Sequence, residues 1–305
     1  MFHSVHKITN STNFATTAKL GDICSKDPKR LRKAAMPNLK VPGATLFYET
    51  TGSGPILLLV PGASGTGNVF KRAAGKLASD FTAVTYDRRG YSKSYLTGEQ
   101  DYANRLDQDA DDAAALLKHL SKGKPSLVFA TSSGAIVGRA LLLRHPDAVE
   151  KIILHEPPLC QALPDGLRET YTQRTKEAYQ VYREKGPIAA MDGFIDINFT
   201  PGETKLMKLG AAAHADPFAV GNQLYWFERE VLVYPMADLR LEEMRELKDK
   251  IVFATSAEAS DLPAGMVPQI LAEKLGMKAI VLPGAHLGYL TDSDDFAQAV
   301  TMYIE

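Results

Sequence analysis

One serine lies where a predicted buried strand turns directly into a predicted helix. It is Ser132, in the Phe-Ala-Thr-Ser-Ser-Gly-Ala sequence of residues 129–135. Small residues stand two positions before and after it, Ala130 in place of the more usual glycine and then Gly134. This spacing is typical of a nucleophile elbow, a strained and crowded turn that exposes a serine hydroxyl at the carboxyl end of a sheet. A serine that caps a structural helix is the alternative interpretation.

A serine nucleophile needs a base, and His286 is the best-placed histidine of the chain. It stands in the Pro-Gly-Ala-His-Leu-Gly loop of residues 283–288, directly after the last predicted strand. Because that loop also lies at the carboxyl edge of the sheet, we expect His286 to reach Ser132 across it. The remaining histidines belong to the leader, to predicted helices or to a strand: His3, His6, His119, His145, His155 and His214.

A glycine-rich loop, Pro-Gly-Ala-Ser-Gly-Thr-Gly at residues 61–67, follows another predicted strand. The oxyanion formed when a serine attacks a carbonyl requires preorganised N–H donors. We expect these donors to be the amides of Ser133 and of Ala63 or Gly62. A phosphate-binding loop under a dinucleotide is the alternative, but the glycines run G-x-x-G-x-G rather than G-x-G-x-x-G and no Walker lysine follows.

Short apolar runs alternate with helical patterns around these loops. Strands are predicted at residues 44–50, 56–60, 82–86, 126–131, 151–155, 251–255 and 279–282. Helices are predicted near residues 69–77, 102–120, 133–144, 266–275 and 295–304. Alternation at this spacing predicts right-handed crossovers, and therefore an α/β fold with a doubly wound, mostly parallel sheet.

Two segments depart from this alternation. Residues 157–248 are mostly helical in pattern and rich in aromatic side chains, which predicts a helical lid inserted into one α/β core of residues 41–156 and 249–305. Residues 1–40 are polar and basic and lack an apolar signal region, so we expect a solvated extension. A mitochondrial transit peptide is the alternative for this extension.

Composition narrows the class of protein. The chain has 305 residues, with 35 lysines and arginines against 36 aspartates and glutamates. This balance argues against a nucleic-acid partner, and the apolar runs are too short for a membrane span. Two cysteines, Cys24 and Cys160, provide neither a disulfide framework nor a metal-binding spacing, so we expect a cytoplasmic protein without metal or cofactor. The sequence leaves the oligomeric state open, and a homodimer is one of the alternatives.

Several motifs together resemble the α/β-hydrolase family over residues 41–305. They are the elbow, the glycine-rich loop, the Asp-Arg-Arg-Gly-Tyr-Ser-Lys-Ser sequence of residues 87–94, and the late His286. More narrowly, residues 132–135, 140–143, 146–147 and 155–158 are similar to fungal zearalenone lactonases. The resemblance implies an α/β-hydrolase fold with a serine nucleophile.

The resemblance also bears on the acid that orients the histidine. In most α/β-hydrolases this acid follows the strand equivalent to residues 251–255, where Glu258 and Asp261 are available. In the lactonase-like group it follows the preceding strand, where Glu156 stands. Glu156 is therefore preferred, with Glu258 and then Asp261 as alternatives, and a purely structural role for Glu156 stays open. The same resemblance places a lid tryptophan near the substrate, which makes Trp226 a hypothesis for pocket lining.

These observations predict a serine hydrolase that cleaves a medium-sized hydrophobic ester or lactone through an acyl-enzyme. Three alternatives keep the same triad: carbon–carbon bond hydrolases, cofactor-free perhydrolases and receptor-like ligand-binding proteins of the same fold. Epoxide hydrolases and haloalkane dehalogenases use an aspartate nucleophile, and Ser132 argues against both.

Overall fold

The core of the protein is a sheet made mostly of parallel strands. The computed structural model describes residues 37–212 and 216–304. Their strands are β1 (Asn38–Val41), β2 (Ala44–Thr51), β3 (Ile56–Val60), β4 (Thr82–Tyr86), β5 (Tyr95–Leu96), β6 (Ser126–Thr131), β7 (Val149–His155), β8 (Ile251–Ser256) and β9 (Ile280–Leu282). The spatial order is β1-β2-β4-β3-β6-β7-β8-β9, with β5 beside β2. Strands β1, β2 and β5 pair antiparallel, whereas β4, β3, β6, β7, β8 and β9 pair parallel.

Helices cover both faces of this sheet. The α-helices of the described residues are α1 (Lys71–Leu77), α2 (Arg105–Ser121), α3 (Ser133–Arg144), α4 (Asp165–Lys185), α5 (Pro187–Asn198), α6 (Pro201–Ala212), α7 (Ala219–Arg229), α8 (Leu241–Glu246), α9 (Pro263–Lys274), α10 (Gly288–Thr291) and α11 (Ser293–Ile304). Successive strand side chains point to opposite faces. On β3, Leu57 therefore joins the apolar cluster under α1 and α11, while Leu58 joins the cluster under α2, α3 and α9. The doubly wound sheet expected from the sequence is confirmed.

Helices α4–α8 form an insertion between β7 and β8. We call them the inserted helices. They have an apolar cluster of their own, in which Tyr182, Trp226, Phe227 and Val231 are buried together with Tyr91 of the loop after β4. The inserted helices are thus anchored on the core side by an aromatic residue next to the glycine-rich loop.

The sheet extends slightly beyond its predicted limits. β1 begins at Asn38, so residues 38–40 belong to the first strand rather than to the basic extension. The two-residue strand β5 is a further element that the sequence pattern does not reveal, because a run of two residues shows no periodicity. The rest of the predicted extension, residues 1–36, lies outside the described residues, as does His214. No helix among the described residues combines the length and apolarity needed to cross a membrane.

Candidate active site

The turn from β6 into α3 forces Ser132 into a strained backbone conformation. Its φ and ψ are 56° and −132°, a region that costs a non-glycine residue roughly 1–3 kcal/mol. A Cβ atom on Gly134 would lie 2.4 Å from the Pro61 carbonyl oxygen, and one on Gly138 would lie 2.7 Å from the Ala130 Cβ. Small residues are therefore required on both sides of the serine, as expected for an elbow.

His286 is paired with Glu156. The Nδ1 atom of His286 lies 2.5 Å from Oε2 of Glu156, and both side chains are buried. The second carboxylate oxygen, Oε1, accepts a hydrogen bond of 2.6 Å from the Ser256 amide at the end of β8. Glu156 itself has a positive φ of 46°, which is uncommon outside glycine and is often found at functional sites. The carboxylate is thus rigidly held and available as the acceptor for the His286 ring.

The buried pair shifts the protonation of both partners. Burial alone would raise the pKa of Glu156, but its neighbours His155 and His286 and the Ser256 amide lower that pKa to about 2. Burial alone would lower the pKa of His286, yet the hydrogen bond and charge of Glu156 raise it above its ordinary value. The site therefore favours an ionised carboxylate beside a histidine of increased basicity.

A second histidine, His155, lies beside this pair without joining it. Its Nδ1 is 2.8 Å from the Thr131 hydroxyl and its Nε2 is 2.9 Å from the Ser256 hydroxyl. Its ring stacks on that of His286, with centroids 5.6 Å apart. Burial lowers the pKa of His155 to about 4, so it stays neutral near pH 7 and is a poor proton acceptor.

Ser132 and His286 line one cavity, of about 40 Å³. This satisfies the expectation that the two side chains face a common space. Within the described residues the Ser132 hydroxyl and the His286 ring are not joined by a hydrogen bond, and such catalytic contacts often tighten only when substrate is bound. Trp226 also lines the cavity and packs edge-on against Phe194, with ring centroids 4.7 Å apart.

The predicted oxyanion donors surround the serine. Ala63 and Ser133 line the cavity with Ser132, and a Cβ on Gly62 would lie 2.9 Å from the Ser132 Cβ. Among the described residues, the amides of Ala63 and Ser133 have no backbone or side-chain acceptor. Both amides are therefore available to a ligand atom placed beside Ser132.

The sequence after β4 holds the glycine-rich loop in place. Asp87 accepts hydrogen bonds from the Thr66 hydroxyl at 2.8 Å and from the Gly67 and Lys93 amides at 2.9 and 3.0 Å. Arg88 donates to the Gly62 carbonyl oxygen at 3.0 Å. Residues 87 and 88 therefore fix the turn after β4 against the glycine-rich loop.

The alternative acids lie away from the histidine. Glu258 and Asp261 are exposed, and neither makes a side-chain hydrogen bond to His286 within the described part of the chain. Glu156 is the carboxylate that the fold brings to His286. It is also the candidate that only the lactonase resemblance singles out.

Two features of the site are not anticipated from the sequence. The buried Glu203 of α6 accepts a hydrogen bond of 2.6 Å from the Leu287 amide, next to His286. The buried Glu230 pairs with Arg88 at 2.8 Å and lines the cavity. Thr200 and Glu203 have the spacing of a capping box, so the sequence predicts that a helix starts there. It does not predict the contact between Glu203 and Leu287. No signal exists for the contact between Glu230 and Arg88, which are far apart in the chain.

A metal site requires several ligating side chains close together. No cluster of three or more histidine, cysteine, aspartate or glutamate side chains with suitable placement occurs in residues 37–212 and 216–304. Besides Ser132 and His286, the polar side chains that line the cavity include Tyr171, Thr175, Asn198, Glu230 and Tyr234.

Known proteins similar to this chain are hydrolases. The sequence model of the alpha/beta hydrolase fold family matches residues 55–186. The uncharacterized hydrolase YraK of Bacillus subtilis (strain 168) is 33% identical over 277 residues, which cover 88% of this chain and 95% of that protein. The zearalenone hydrolase of Bionectria ochroleuca is 25% identical over 260 residues, which cover 85% of this chain and 93% of that protein.

A solved structure shares the same fold. The enol-lactonase from Burkholderia xenovorans LB400 superposes with a TM-score of 0.66 at 21% sequence identity, covering 87% of this chain and 98% of that one. The similarity to YraK extends over almost its whole length, and the family match includes Ser132 and Glu156. The chain therefore belongs to the α/β-hydrolase family and is an enzyme of the hydrolase class.

Proposed function

We propose that this protein is a serine hydrolase that cleaves a carboxylic ester or lactone of a medium-sized hydrophobic substrate. Ser132 is the nucleophile, His286 the general base and then general acid, and Glu156 the residue that orients and stabilises the imidazolium. The amides of Ala63 and Ser133 hold the oxyanion, with Gly62 allowing the loop to approach the serine. The reaction uses no cofactor.

The proposed chemistry runs in two halves. The Ser132 Oγ attacks the carbonyl carbon while His286 Nε2 takes its proton, and the carbonyl oxygen becomes an oxyanion. The intermediate collapses to an acyl-enzyme as the bond to the leaving oxygen breaks and His286 returns the proton to that oxygen. Water then attacks the acyl carbon with His286 again as base, which releases the carboxylic acid and restores Ser132. With a lactone, the released alcohol stays attached to the acyl chain.

The observation that carries this proposal is the 2.5 Å contact between His286 Nδ1 and Glu156 Oε2 in a cavity that Ser132 also lines. Because Glu156 engages Nδ1, the other ring nitrogen is left as the one that exchanges protons with the serine. The strained elbow and the free amides of Ala63 and Ser133 support the same assignment.

The lining of the cavity supports a hydrophobic substrate. Phe194, Phe199, Trp226 and Val231 contribute apolar surface from the inserted helices and the turn that follows α7. The similarity to a zearalenone hydrolase fits a cyclic ester of comparable size. The inserted helices contribute much of the cavity wall beside Ser132 and His286, and in the proposed mechanism they move as a lid when substrate enters.

The test is hydrolysis of a panel of p-nitrophenyl esters and aromatic lactones by the wild-type enzyme and by Ser132→Ala. We expect an initial burst of nitrophenol in the wild-type enzyme, from acylation, and loss of turnover in Ser132→Ala. Ser79→Ala, which removes an exposed hydroxyl after α1, is the matched control and should keep full activity. Full esterase activity in Ser132→Ala would contradict the proposed mechanism, and cleavage of β-diketones in preference to esters would favour carbon–carbon hydrolysis.

We further propose a cytoplasmic location. Cys160 is buried as a free thiol, which agrees with a reducing compartment. Fractionation of cells that produce the native protein would check this assignment, with recovery in mitochondria as the contradicting result.

A further inference from the structure

A carboxylate from the inserted helices reaches the loop that carries the proposed base. Glu203 stands in the first turn of α6 and is 4% exposed. Its Oε1 accepts a hydrogen bond of 2.6 Å from the amide of Leu287, the residue after His286. Hydrogen bonds to an ionised acceptor are about twice as strong as neutral ones, so this contact fixes the backbone at the histidine.

The other oxygen of the same carboxylate holds the start of α6. Glu203 Oε2 accepts hydrogen bonds of 3.0 Å from both the amide and the hydroxyl of Thr200, while the Glu203 amide donates to the Thr200 hydroxyl at 3.3 Å. This is the reciprocal arrangement of a capping box. A single side chain therefore ties the beginning of α6 to the His286 loop, with one carboxylate oxygen on each.

The surroundings of His286 show why this carboxylate matters. The titratable groups beside the ring are Glu156 after β7, His155 at the end of β7 and Glu203 from α6. Tyr289 of α10 lies near both carboxylates. Phe199, just before α6, also packs edge-on against the ring with centroids 5.3 Å apart. Glu156 and Glu203 are the two carboxylates of this set, and Glu203 is supplied by the inserted helices, which are the proposed lid.

We propose that Glu203 is a positioning residue that couples the seating of α6 to the placement of His286. When α6 is docked, the Glu203 carboxylate fixes the loop at Leu287 and completes the negative environment of the imidazolium. When α6 moves away, the loop loses both the hydrogen bond at Leu287 and the negative charge of Glu203. Catalytic competence is then restored only as the lid closes. This inference rests on the proposed function, because it assigns His286 as the base.

Three variants separate positioning from helix capping. Glu203→Ala removes both sets of contacts, and Glu203→Gln keeps only one acceptor oxygen, so it can serve the helix cap or the Leu287 amide but not both. Thr200→Ala weakens the cap and leaves the carboxylate. Asp196→Asn is the matched control for charge, since it removes an exposed lid carboxylate that pairs with Lys208 at 3.0 Å and lies outside the cavity.

The measurements are kcat and KM with a p-nitrophenyl ester, the acid limb of kcat/KM, and the pKa of His286 from its imidazole NMR signals. We expect kcat to fall by about 10–100-fold in Glu203→Ala, with KM little changed, and less in Glu203→Gln. Loss of the negative charge destabilises the imidazolium, so the pKa of His286 and the acid limb should move to lower pH in both Glu203 variants. Thr200→Ala and Asp196→Asn should lower neither kcat nor the pKa of His286.

Two results would overturn the inference. One is a His286 pKa that is the same in Glu203→Gln as in the wild type. The other is a Glu203→Ala variant whose kcat, KM and melting temperature all match those of Thr200→Ala, which would reduce Glu203 to a helix cap. The NMR titration needs no turnover, so a lowered His286 pKa in an enzyme that fails to hydrolyse any ester would support the link and count against the proposed function alone.

Discussion

At the residue scale the account depends on which carboxylate serves His286. Glu156 contacts the ring at 2.5 Å, whereas Glu258 is exposed. In Glu156→Gln the amide can donate as well as accept, so the ring loses its charge partner and its fixed tautomer. We expect kcat for ester hydrolysis to fall on the order of 10²–10⁴-fold. Glu258→Gln is the matched control and should stay close to wild type, and a larger loss in Glu258→Gln than in Glu156→Gln would reverse the assignment.

The same pair predicts a pH dependence of stability. Folding raises the pKa of His286 above 6.5, so its contribution is complete below pH 6.5 and is lost as pH rises through the folded value. Folding lowers the pKa of Glu156 from 4.5 to about 2, so its contribution is complete above pH 4.5 and is lost as pH falls through about 2. Urea unfolding should therefore show the largest advantage of wild type over Glu156→Gln between about pH 4.5 and 6.5. An advantage that grows steadily above pH 6.5 would contradict this.

The sequence located these residues to different degrees, for physical reasons. Ser132 and His286 follow predicted strands whose carboxyl ends share one sheet edge, so topology alone predicts that they meet. Topology alone cannot identify the carboxylate that orients His286, because both Glu156 and Glu258 follow strands that end at the same edge of the sheet. Only side-chain orientation distinguishes them, and the positive φ of Glu156 that sets it is not readable from residue types.

At the scale of elements, the elbow requires a small residue at position 134 because α3 packs closely against the end of β3. A Cβ on Gly134 would lie 2.4 Å from the Pro61 carbonyl oxygen and 2.6 Å from that of Val60. We expect Gly134→Ala to cost about 1–3 kcal/mol of stability by overpacking and to lower kcat, because α3 has to shift away from the glycine-rich loop. Thermal unfolding and ester hydrolysis measure the two effects.

The control for this change is Gly75→Ala in α1. A Cβ there meets no atom within 4 Å, so alanine should stabilise the helix by about 0.5–1 kcal/mol and leave activity unchanged. Equal effects of the two substitutions on melting temperature would mean that the elbow does not require a small residue at position 134.

The elements themselves follow closely from the sequence. Ile56–Val60 is a continuous apolar run and Thr82–Tyr86 is a short run of β-forming residues, and the limits of both are predicted to the residue. The antiparallel edge is less predictable. β1 alternates exposed and half-buried positions over four residues, which is too short for its period to stand out from a polar leader.

At the scale of the whole molecule, buried charges join the inserted helices to the core. Glu230, which follows α7, pairs with Arg88 at 2.8 Å, and Arg88 also pairs with Asp109 of α2 at 3.0 Å. The other Glu230 oxygen accepts a hydrogen bond of 2.5 Å from Tyr91. Because Arg88 donates to the Gly62 carbonyl as well, the glycine-rich loop is linked to the segment that we propose moves as a lid.

Removing one member of this buried charge network should lower the free energy of unfolding. Glu230→Ala removes one of the two carboxylates that pair with the fully buried Arg88, together with the acceptor for Tyr91, and we expect a loss of about 3–5 kcal/mol in the free energy of unfolding. Asp196→Ala breaks the exposed pair with Lys208 and should cost less than about 1 kcal/mol. Urea denaturation of both variants checks the contrast, and a loss for Glu230→Ala no greater than that for Asp196→Ala would show that the network contributes little.

This long-range network could not be predicted from the sequence. Arg88 and Glu230 are 142 positions apart, and each is typical of an exposed surface residue when read locally. Their pairing depends on how the inserted helices dock, which neither helical periodicity nor capping patterns encode. The same is true of the contact between Glu203 and Leu287, which are 84 positions apart.

In the proposed mechanism, Ser132 is a nucleophile activated by His286. The most direct test of this assignment is labelling with a fluorophosphonate, followed by peptide mapping of the modified residue by mass spectrometry. We predict one label per chain on the peptide that contains Ser132, none on Ser132→Ala, and greatly slowed labelling of His286→Ala. Undiminished labelling of Ser132→Ala, or a label mapped to another residue in the wild-type enzyme, would contradict the account.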